Sequence, residues 1–170
     1  YSVGWQIVEM MTAHGRPHDL AQKRALELIA RVGIPEPEKA MRKYPHQFSG
    51  GQRQRLMIAM ALMLKPDILI ADEPTTALDV TIQAEVLALL KELQAETDMA
   101  LVLITHDLGV VAEIADRIVV MNEGEIVESG TVREVYHEAK HPYTRKLIAA
   151  APGKGEIKIP NRSSPILLSV

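Results

Sequence analysis

The stretch from Phe48 to Leu64 places a serine and two glycines directly before a mostly apolar run. Ser49 can act as a helix N-cap, with its hydroxyl turned toward the first free amides of the helix. Gly50 and Gly51 leave that helix start without side chains, so bare N–H groups and the positive end of the helix dipole coincide there. Together these features suit an anion, above all a phosphate. The alternative is a plain serine cap followed by a flexible turn, which the tripeptide alone favours.

Two adjacent carboxylates, Asp72 and Glu73, close the apolar run 67–72. Neighbouring residues on a strand point to opposite sides, so we expect the two carboxylates to do different work. In open α/β sheets, ligands bind at the carboxyl ends of the strands. An Asp there can serve Mg²⁺, and a Glu beside it can orient a water for attack on phosphorus. The alternative is a solvated acidic turn after a strand.

His106 closes a second apolar run, 100–105. A histidine there can donate to a phosphate oxygen or hold a nucleophilic water, whereas a lone histidine more often only helps to cap the next helix. Asp107 is predicted to be a helix cap rather than a metal ligand, and Asp79 is predicted to cap the helix over 81–95. None of these residues is decisive alone, but their order and spacing fit a site for nucleotide hydrolysis.

Hydrophobic periodicity and helix-ending signals predict the elements that would position these residues. A helix is expected over 3–11, and Asp19 is expected to cap a second one with Gly33 as its C′ residue, followed by at most a short helix between the prolines. The helix that starts at residue 50 should run to residue 64 and stop at Lys65–Pro66. The apolar runs 67–72 and 100–105 predict buried strands, separated by the amphipathic helix 81–95.

Strands and helices alternate beyond residue 66, which predicts parallel strands joined by helical crossovers. Residues 117–130 predict a hairpin. Thr131 and Glu134 predict a capping box for the next helix, and Pro142 opens another short helix. From Gly153 onward the composition is typical of a linker or tail.

Composition and charge limit the class of protein. Hydrophobic residues make up 47% of the 170 residues, enough for a packed core, and the net charge of −3 gives no reason to expect nucleic acid held by bulk charge. The absence of cysteine excludes disulfides and thiolate metal sites. The longest apolar run, Leu56 to Leu64, is far shorter than the ~20 residues of a membrane span. The chain begins at Tyr1 rather than Met, so we interpret it as a piece of a longer protein.

The order of the motifs resembles the ATPase subunit of the ATP-binding cassette (ABC) transporter family. The resemblance runs from about Tyr44 to Gly130 and is specific, because four motifs follow one another in the family's order. They are a signature motif (FSGGQ, 48–52), a Walker B strand (ILIADE, 68–73), a D-loop (TALD, 76–79) and a switch-histidine loop (THD, 105–107). This implies an α/β fold, a partial P-loop NTPase-like fold with mainly parallel strands and helical crossovers, preceded by a helical subdomain.

The resemblance also implies a role for each motif in binding ATP and Mg²⁺. Ser49, Gly50, Gly51 and Gln52 would contact the γ-phosphate of ATP held by a second subunit, so that the glycines make room for that ATP. Asp79 would communicate across the dimer.

The remaining implied roles are catalytic. Asp72 would assist Mg²⁺, Glu73 would be the general base, and His106 would contact the γ-phosphate.

One expected part of the family's pattern is missing from the sequence. A P-loop of the form G-x-x-x-x-G-K-[ST] is not found, and the family places it before the helical subdomain. The chain is therefore interpreted as the C-terminal portion of an ABC ATPase, not expected by itself to bind ATP with useful affinity or to hydrolyse it. We divide it into a helical signalling subdomain (1–65), the C-terminal part of the ATPase core (66–135), and a C-terminal extension with a tail (136–170).

Three longer stretches are similar to the ATPases of dipeptide, oligopeptide and nickel importers: KYPHQFSGGQRQRLMIAMAL, ADEPTTALDVTIQ and HPYTRKLIAAAP. The resemblance implies an ATP-hydrolysing subunit that powers import of di- or oligopeptides or a related solute, peripheral at the cytoplasmic face of the cell membrane. Its implied partners are a second ABC ATPase subunit, membrane permease subunits and, indirectly, a solute-binding protein, but not nucleic acid. Two alternatives stay open: a non-transport ABC ATPase, and a non-catalytic interaction module.

Overall fold

The computed structural model describes residues 1–150 and the backbone of 167–169, which form two compact units. The first unit comprises residues 1–67 and 75–92, and the second comprises 68–74 and 93 onward. The first unit contains α1 (Val3–Thr12), α2 (His18–Arg31), α3 (Pro37–Arg42), a 3₁₀ turn (Pro45–Gln47), α4 (Gly50–Ala61) and most of α5 (Val80–Thr97).

The first unit is a helical body with a continuous apolar core. Helices α1, α2, α3 and α4 pack on one another, and Ile7 and Ile29 are completely buried among them. Arg55 on α4 joins three elements, because its guanidinium donates to the Val32 carbonyl at the end of α2 (3.0 Å) and to a Glu85 carboxylate oxygen on α5 (2.9 Å). The helix that begins at the serine–glycine segment is thereby held to its neighbours within this unit.

Two of the predicted helix boundaries in this unit are wrong. Asp19 does not cap α2: Pro17 occupies the N-cap position, and Asp19 lies in the first turn, where a carboxylate still interacts favourably with the helix dipole. Helix α4 ends at Ala61 rather than at residue 64. After Ala61 the backbone passes into tighter turns, in which the Met63 amide donates to the Met60 carbonyl (3.2 Å) and the Lys65 amide to the Leu62 carbonyl (3.1 Å), so the helix ends ahead of Pro66. Gly33, with φ of 77°, follows α2 as predicted.

The second unit is built on a five-stranded sheet in the order β1-β2-β5-β3-β4. Its elements are β1 (Ile68–Asp72), β2 (Ala100–Ile104), α6 (Leu108–Ile114), β3 (Arg117–Asn122), β4 (Glu125–Thr131), α7 (Val132–His137), α8 (Pro142–Ala150) and β5 (Leu167–Ser169). The pairs β1–β2, β2–β5 and β5–β3 are parallel, and β3–β4 is the predicted hairpin. The α/β fold with mainly parallel strands and helical crossovers is confirmed.

Burial along β1 differs from the prediction of a fully buried strand. In β1, Leu69 is buried whereas Ile68 and Ile70, on the opposite face of the strand, are exposed, so the described residues cover only one face of β1 there. In β2, Leu101 and Leu103 are buried. The short runs predict the strands correctly, but burial on both faces does not follow from their apolar composition.

The predicted tail is only partly described, since residues 151–166 and 170 lie outside the described residues. Residues 167–169 pair in parallel with both β2 and β3, where the sequence predicted a linker or tail. The prediction is wrong for these three residues because their backbone completes the ladder between the two strands.

The C-terminal helices of this unit are fixed by local hydrogen bonds. The predicted capping box at α7 is present: Glu134 accepts from the Thr131 amide at 2.7 Å, and the Glu134 amide donates to the Thr131 hydroxyl at 3.2 Å. Glu128 on β4 accepts from the amides of Lys140 (2.7 Å) and His141 (3.2 Å), just before α8. Partial burial works to raise the pKa of Glu128, but these hydrogen bonds lower it on balance.

Candidate functional site

The start of α4 carries a complete capping box. The Ser49 hydroxyl accepts from the Gln52 amide at 3.3 Å, and the Gln52 side-chain oxygen accepts from the Ser49 amide at 3.1 Å. Ser49 and Gly50 are exposed. Within the described residues, the amides of Gly50 and Gly51 make no hydrogen bond, as expected for the first two positions of a helix. The helix start, where Ser49 and Gly50 are exposed, therefore keeps two N–H groups that have no acceptor among the described residues.

Gly51 has a packing role within the chain. It is buried, and a Cβ atom placed on it would lie 2.5 Å from the Cγ2 atom of Ile82 on α5. Its missing side chain thus lets α4 and α5 approach closely, a purpose that the sequence interpretation did not anticipate. At Gly50 a Cβ atom would meet only the Cδ2 atom of Leu78, at 3.3 Å. Of the two glycines, only Gly50 faces outward.

Gly51→Ala should lower the free energy of unfolding of this chain by about 1–3 kcal/mol, because the new methyl group overlaps a β-branched side chain that has little freedom to move. The measurement is urea unfolding followed by circular dichroism. Gly50→Ala is the matched control and should change the free energy by less than about 0.5 kcal/mol. Adding Ile82→Ala, which removes the clashing atom, should make the Gly51→Ala cost smaller than in the wild-type background. A Gly51→Ala variant as stable as the wild type would contradict the packing role.

The loop that precedes α5 lies beside this helix start. Asp79 accepts from the Ile82 amide at 3.0 Å, which confirms its predicted capping of α5. The Leu78 amide donates to the Thr75 carbonyl at 3.2 Å, and Ala77 adopts a positive φ of 63°. This tight turn brings Leu78 against Gly50 and leaves Asp79 exposed.

In the second unit, the ends of β1 and β2 bring Glu73 and His106 together. Asp72 pairs with Ile104 in the parallel register, and the Glu73 amide donates to the Ile104 carbonyl at 2.9 Å. Glu73 has a positive φ of 47°, a conformation that costs energy for a residue with a side chain. Its carboxylate lies 2.8 Å from Nδ1 of His106, whose side chain is 80% exposed.

The Glu73–His106 contact affects the protonation of the histidine. The hydrogen bond to Glu73 raises the pKa of His106, and the negative charge of Glu73 adds to the effect. Desolvation opposes this rise in the pKa, and the negative charge of Asp107 adds a smaller increase. The histidine can thus carry a proton nearer to neutral pH than an isolated imidazole and can donate a charge-assisted hydrogen bond.

Glu73→Gln should lower the titration midpoint of His106 toward the ordinary value of about 6.5, because the largest cause of its elevation is removed. The measurement is the pH dependence of the His106 ring resonances in NMR spectra of this chain. Since the folded state holds the proton more tightly than the unfolded chain, the pair stabilises the fold below about pH 6.5. This contribution is lost as the pH rises through the folded-state pKa. A midpoint that Glu73→Gln leaves unchanged would contradict the assigned cause.

Asp72 is the candidate for a divalent cation. Its carboxylate is exposed at the end of β1, one residue before the carboxylate that contacts His106. Among the described residues there is no group of three or more His, Asp or Glu side chains arranged to hold a metal ion alone. Mg²⁺ commonly binds through one or two carboxylates together with substrate phosphates, and a single exposed Asp fits that pattern.

Comparison with known proteins identifies the family. The family model described as ABC transporter matches residues 5–76. The oligopeptide transport ATP-binding protein OppD of Bacillus subtilis (strain 168) is 56% identical over 151 residues, which cover 88% of this chain and 42% of OppD. The chain belongs to the ABC transporter family. We accordingly use the family's terms: signature motif for 48–52, Walker B strand for 68–73, D-loop for 76–79 and switch loop for 105–107.

Two other relatives of this ABC segment are also named as ATP-binding proteins. The dipeptide transport ATP-binding protein DppD of Bacillus subtilis (strain 168) is 53% identical and covers 89% of this chain and 45% of DppD. The glutathione import ATP-binding protein GsiA of Escherichia coli (strain K12) is 54% identical and covers 93% of this chain and 26% of GsiA. The chain thus spans less than half the length of each of these relatives.

The fold of the ABC segment also matches solved cassettes. The dimeric structure of MJ0796, a bacterial ABC transporter cassette, aligns with a TM-score of 0.59 at 36% identity, covering 69% of this chain and 50% of that chain. A post-hydrolysis MJ0796 dimer bound to ADP and Pi aligns equally well. No described helix is both long and apolar enough to cross a membrane.

The predicted site residues of the ABC segment are divided between the two units. Glu73 and His106 form one pair, next to Asp72 in sequence, in the second unit. The signature motif and Asp79 lie in the first unit. The capping role of Asp107 is confirmed, because its carboxylate accepts from the amides of Gly109 (2.9 Å) and Val110 (3.3 Å).

Two residues near the ABC motifs were missed by sequence reasoning. One is Ile82, which fills the space beside Gly51. The other is Tyr136, whose hydroxyl contacts the helix after the switch loop. Neither has a local sequence signal, since Gly51 and Ile82 are 31 positions apart and Tyr136 is 28 positions from the residue it contacts.

Proposed function

We propose that this segment belongs to an ATP-hydrolysing subunit that powers import of di- or oligopeptides, or of a related solute, across the cytoplasmic membrane. The catalytic work requires a longer protein in which this segment follows a P-loop, which we call the parent protein. The observation that carries the proposal is the Glu73–His106 hydrogen bond of 2.8 Å at the carboxyl ends of two adjacent parallel strands. Such strand ends are where α/β nucleotide hydrolases place their chemistry.

In this proposal Glu73 is the general base. Its carboxylate can accept a proton from the attacking water, while the protonated His106 donates to an oxygen of the γ-phosphate. The pair can also share a proton, because the two groups are already in hydrogen-bond contact. The positive φ of Glu73 aims its side chain away from the regular alternation of β1, so that it can meet the switch histidine.

Asp72 would hold Mg²⁺ in the parent protein, directly or through water. The cation would neutralise charge on the phosphates when ATP is bound. Asp72, the last residue of β1, and Glu73, which contacts His106, would thus take separate roles.

The signature motif would act on ATP bound by a second subunit. The hydroxyl of Ser49 and the amides of Gly50 and Gly51 lie at a helix N-terminus at which Ser49 and Gly50 are exposed, which suits a γ-phosphate oxygen. Gln52 would support the site by closing the capping box with Ser49. Asp79, which is exposed in the D-loop beside the start of α4, would contact the partner cassette.

The proposed partners are suggested by the relatives, which are named as ATP-binding proteins for oligopeptide transport, dipeptide transport and glutathione import. They are a second ABC ATPase subunit, membrane permease subunits and, indirectly, a solute-binding protein, without nucleic acid. The proposed location is peripheral, at the cytoplasmic face of the inner membrane.

The proposed division of the chain is a helical signalling subdomain (1–65), the C-terminal part of the ATPase core (66–135), and a C-terminal extension with a tail (136–170).

The test is uptake of labelled di- and oligopeptides by cells that lack the parent protein, paired with ATPase assays of the purified parent protein. We expect deletion to abolish uptake, and uptake of a free amino acid by an unrelated carrier to stay normal. Normal peptide uptake with an active purified ATPase would favour a non-transport ABC ATPase. Absence of ATP binding by the purified parent protein would favour a non-catalytic interaction module. Either result would contradict the proposal.

A further inference from the structure

Tyr136 on α7 reaches the helix that follows the switch loop. Its hydroxyl donates to the carbonyl of Leu108, the first residue of α6. Leu108 lies two residues after His106, and Asp107 between them is the N-cap of α6. A side chain from the C-terminal part of the chain therefore contacts the first turn that determines where the switch histidine lies.

Hydrogen bonds of Asp107 also restrain the backbone at the start of α6. The Asp107 carboxylate caps α6, and the Asp107 amide donates to the hydroxyl of buried Thr105 at 3.1 Å. These bonds fix the loop locally, but they do not anchor α6 to another element. The Tyr136 hydroxyl supplies such an anchor from α7.

Helix α7, which carries Tyr136, is itself held in place by hydrogen bonds at its N-terminus. Its capping box joins Thr131 and Glu134, and the Val132 amide donates to the Asp116 carbonyl at 3.2 Å, just before β3. The hydrogen bonds from the Thr131 amide and hydroxyl lower the pKa of Glu134, as expected for a carboxylate held in a cap. The position of the Tyr136 ring is thus set by the sheet through β3 and β4.

The Tyr136 hydroxyl is suited to remain a donor. Half-burial of the side chain raises the pKa of Tyr136, the charge of Asp107 adds to this, and the amide of Ala112 opposes it. The phenol therefore keeps its proton across physiological pH. The Ala112 amide faces the phenolic oxygen while the Leu108 carbonyl accepts from it, so the hydroxyl lies at one turn of α6.

We propose that Tyr136 is a positioning residue that holds α6 and the switch loop so that His106 meets Glu73. This inference rests on the function proposed above for the Glu73–His106 pair. It adds that the C-terminal segment, beyond the four ABC motifs, takes part in setting the catalytic geometry. A displacement of α7 would then change the position of His106 and the rate of hydrolysis.

The first test uses this chain and needs no nucleotide. In Tyr136→Phe, which removes only the hydroxyl, the NMR titration midpoint of His106 should fall toward the value in Glu73→Gln, because the histidine leaves the carboxylate more often. Tyr143→Phe is the matched control: this tyrosine lies in the same C-terminal segment, and within the described residues its hydroxyl makes no hydrogen bond, only its backbone amide does. A midpoint equal to that of the wild type in Tyr136→Phe would overturn the inference.

Folding of the variants is checked by the amide resonances of β4 and α7, which should stay in place. Tyr136→Met, which fills most of the space without a hydroxyl, is measured alongside and should give the same change in His106. If neither variant changes the His106 midpoint while both are folded, the positioning role is excluded.

The second test is the ATPase activity of the parent protein. Tyr136→Phe should lower kcat about 2- to 10-fold, the effect of losing one neutral hydrogen bond, with KM for ATP unchanged. A purely structural role would instead reduce the folded fraction and leave the kcat of folded enzyme unaffected. If His106→Ala abolishes hydrolysis but Tyr136→Phe does not change kcat, the inference fails and the proposed function stands. If His106→Ala and Glu73→Gln both hydrolyse ATP normally, the proposed function fails.

Discussion

Replacing Glu73 with Gln is expected to lower the kcat of the parent protein for ATP hydrolysis by about 10²- to 10⁴-fold, the usual contribution of a general base. The amide keeps the size of the side chain and a hydrogen bond to His106, but it cannot accept a proton from the attacking water. ATP binding should be preserved, because the contacts that hold the phosphates and the nucleobase of ATP do not depend on the Glu73 carboxylate. The measurement is steady-state hydrolysis together with the dissociation constant for ATP by calorimetry.

Glu123→Gln provides the matched control for this substitution. Glu123 lies exposed in the β3–β4 turn of the same unit, and the chemical change is identical. Its kcat should equal that of the wild type. A Glu73→Gln enzyme with normal turnover would show that another group activates the water, and the assignment of the base would be wrong.

Ser49→Arg is expected to weaken ATP-dependent dimerisation of the parent protein at least about tenfold, since a bulky side chain would occupy the space in which a partner's γ-phosphate should lie. The free energy of unfolding should fall by only about 1 kcal/mol, the cost of losing an N-cap. The measurement is analytical ultracentrifugation with ATP in the Glu73→Gln background, which prevents turnover during the run.

Two substitutions separate the loss of the cap from the added bulk. Ser49→Ala removes the capping hydroxyl but leaves the phosphate position open, so it should dimerise more strongly than Ser49→Arg. Ser2→Arg adds the same side chain at the N-cap of α1, where the serine accepts from the Trp5 amide at 3.2 Å, and should leave dimerisation unchanged. Dimerisation of Ser49→Arg equal to that of the wild type would count against a contact in trans.

Local signals in the sequence predicted most elements of the fold. The periodicity of α5, the hairpin of β3 and β4, the Thr131–Glu134 box and the Asp107 cap each depend on residues within one or two turns, and the structure confirms them. Two helix boundaries failed for local reasons: Pro17 displaces Asp19 from the cap of α2, and α4 passes into tight turns before Pro66.

Contacts between distant residues could not be predicted in the same way. The order of the motifs placed Glu73 and His106 at adjacent strand ends, but the hydrogen bond between them depends on the register of β1 and β2 and on the positive φ of Glu73. The contact of Gly51 with Ile82 depends on how α4 approaches α5. The sequence therefore identifies which residues can do chemistry, whereas the structure shows which of them meet.

The most direct test of the central claim is a structure of the ATP-bound parent protein carrying Glu73→Gln. We predict a dimer in which the Ser49 hydroxyl and the Gly51 amide of one protomer lie about 3 Å from the γ-phosphate oxygens of ATP held by the partner's P-loop. An ATP whose γ-phosphate contacts no signature motif, or only that of the protomer that binds it, would contradict the account.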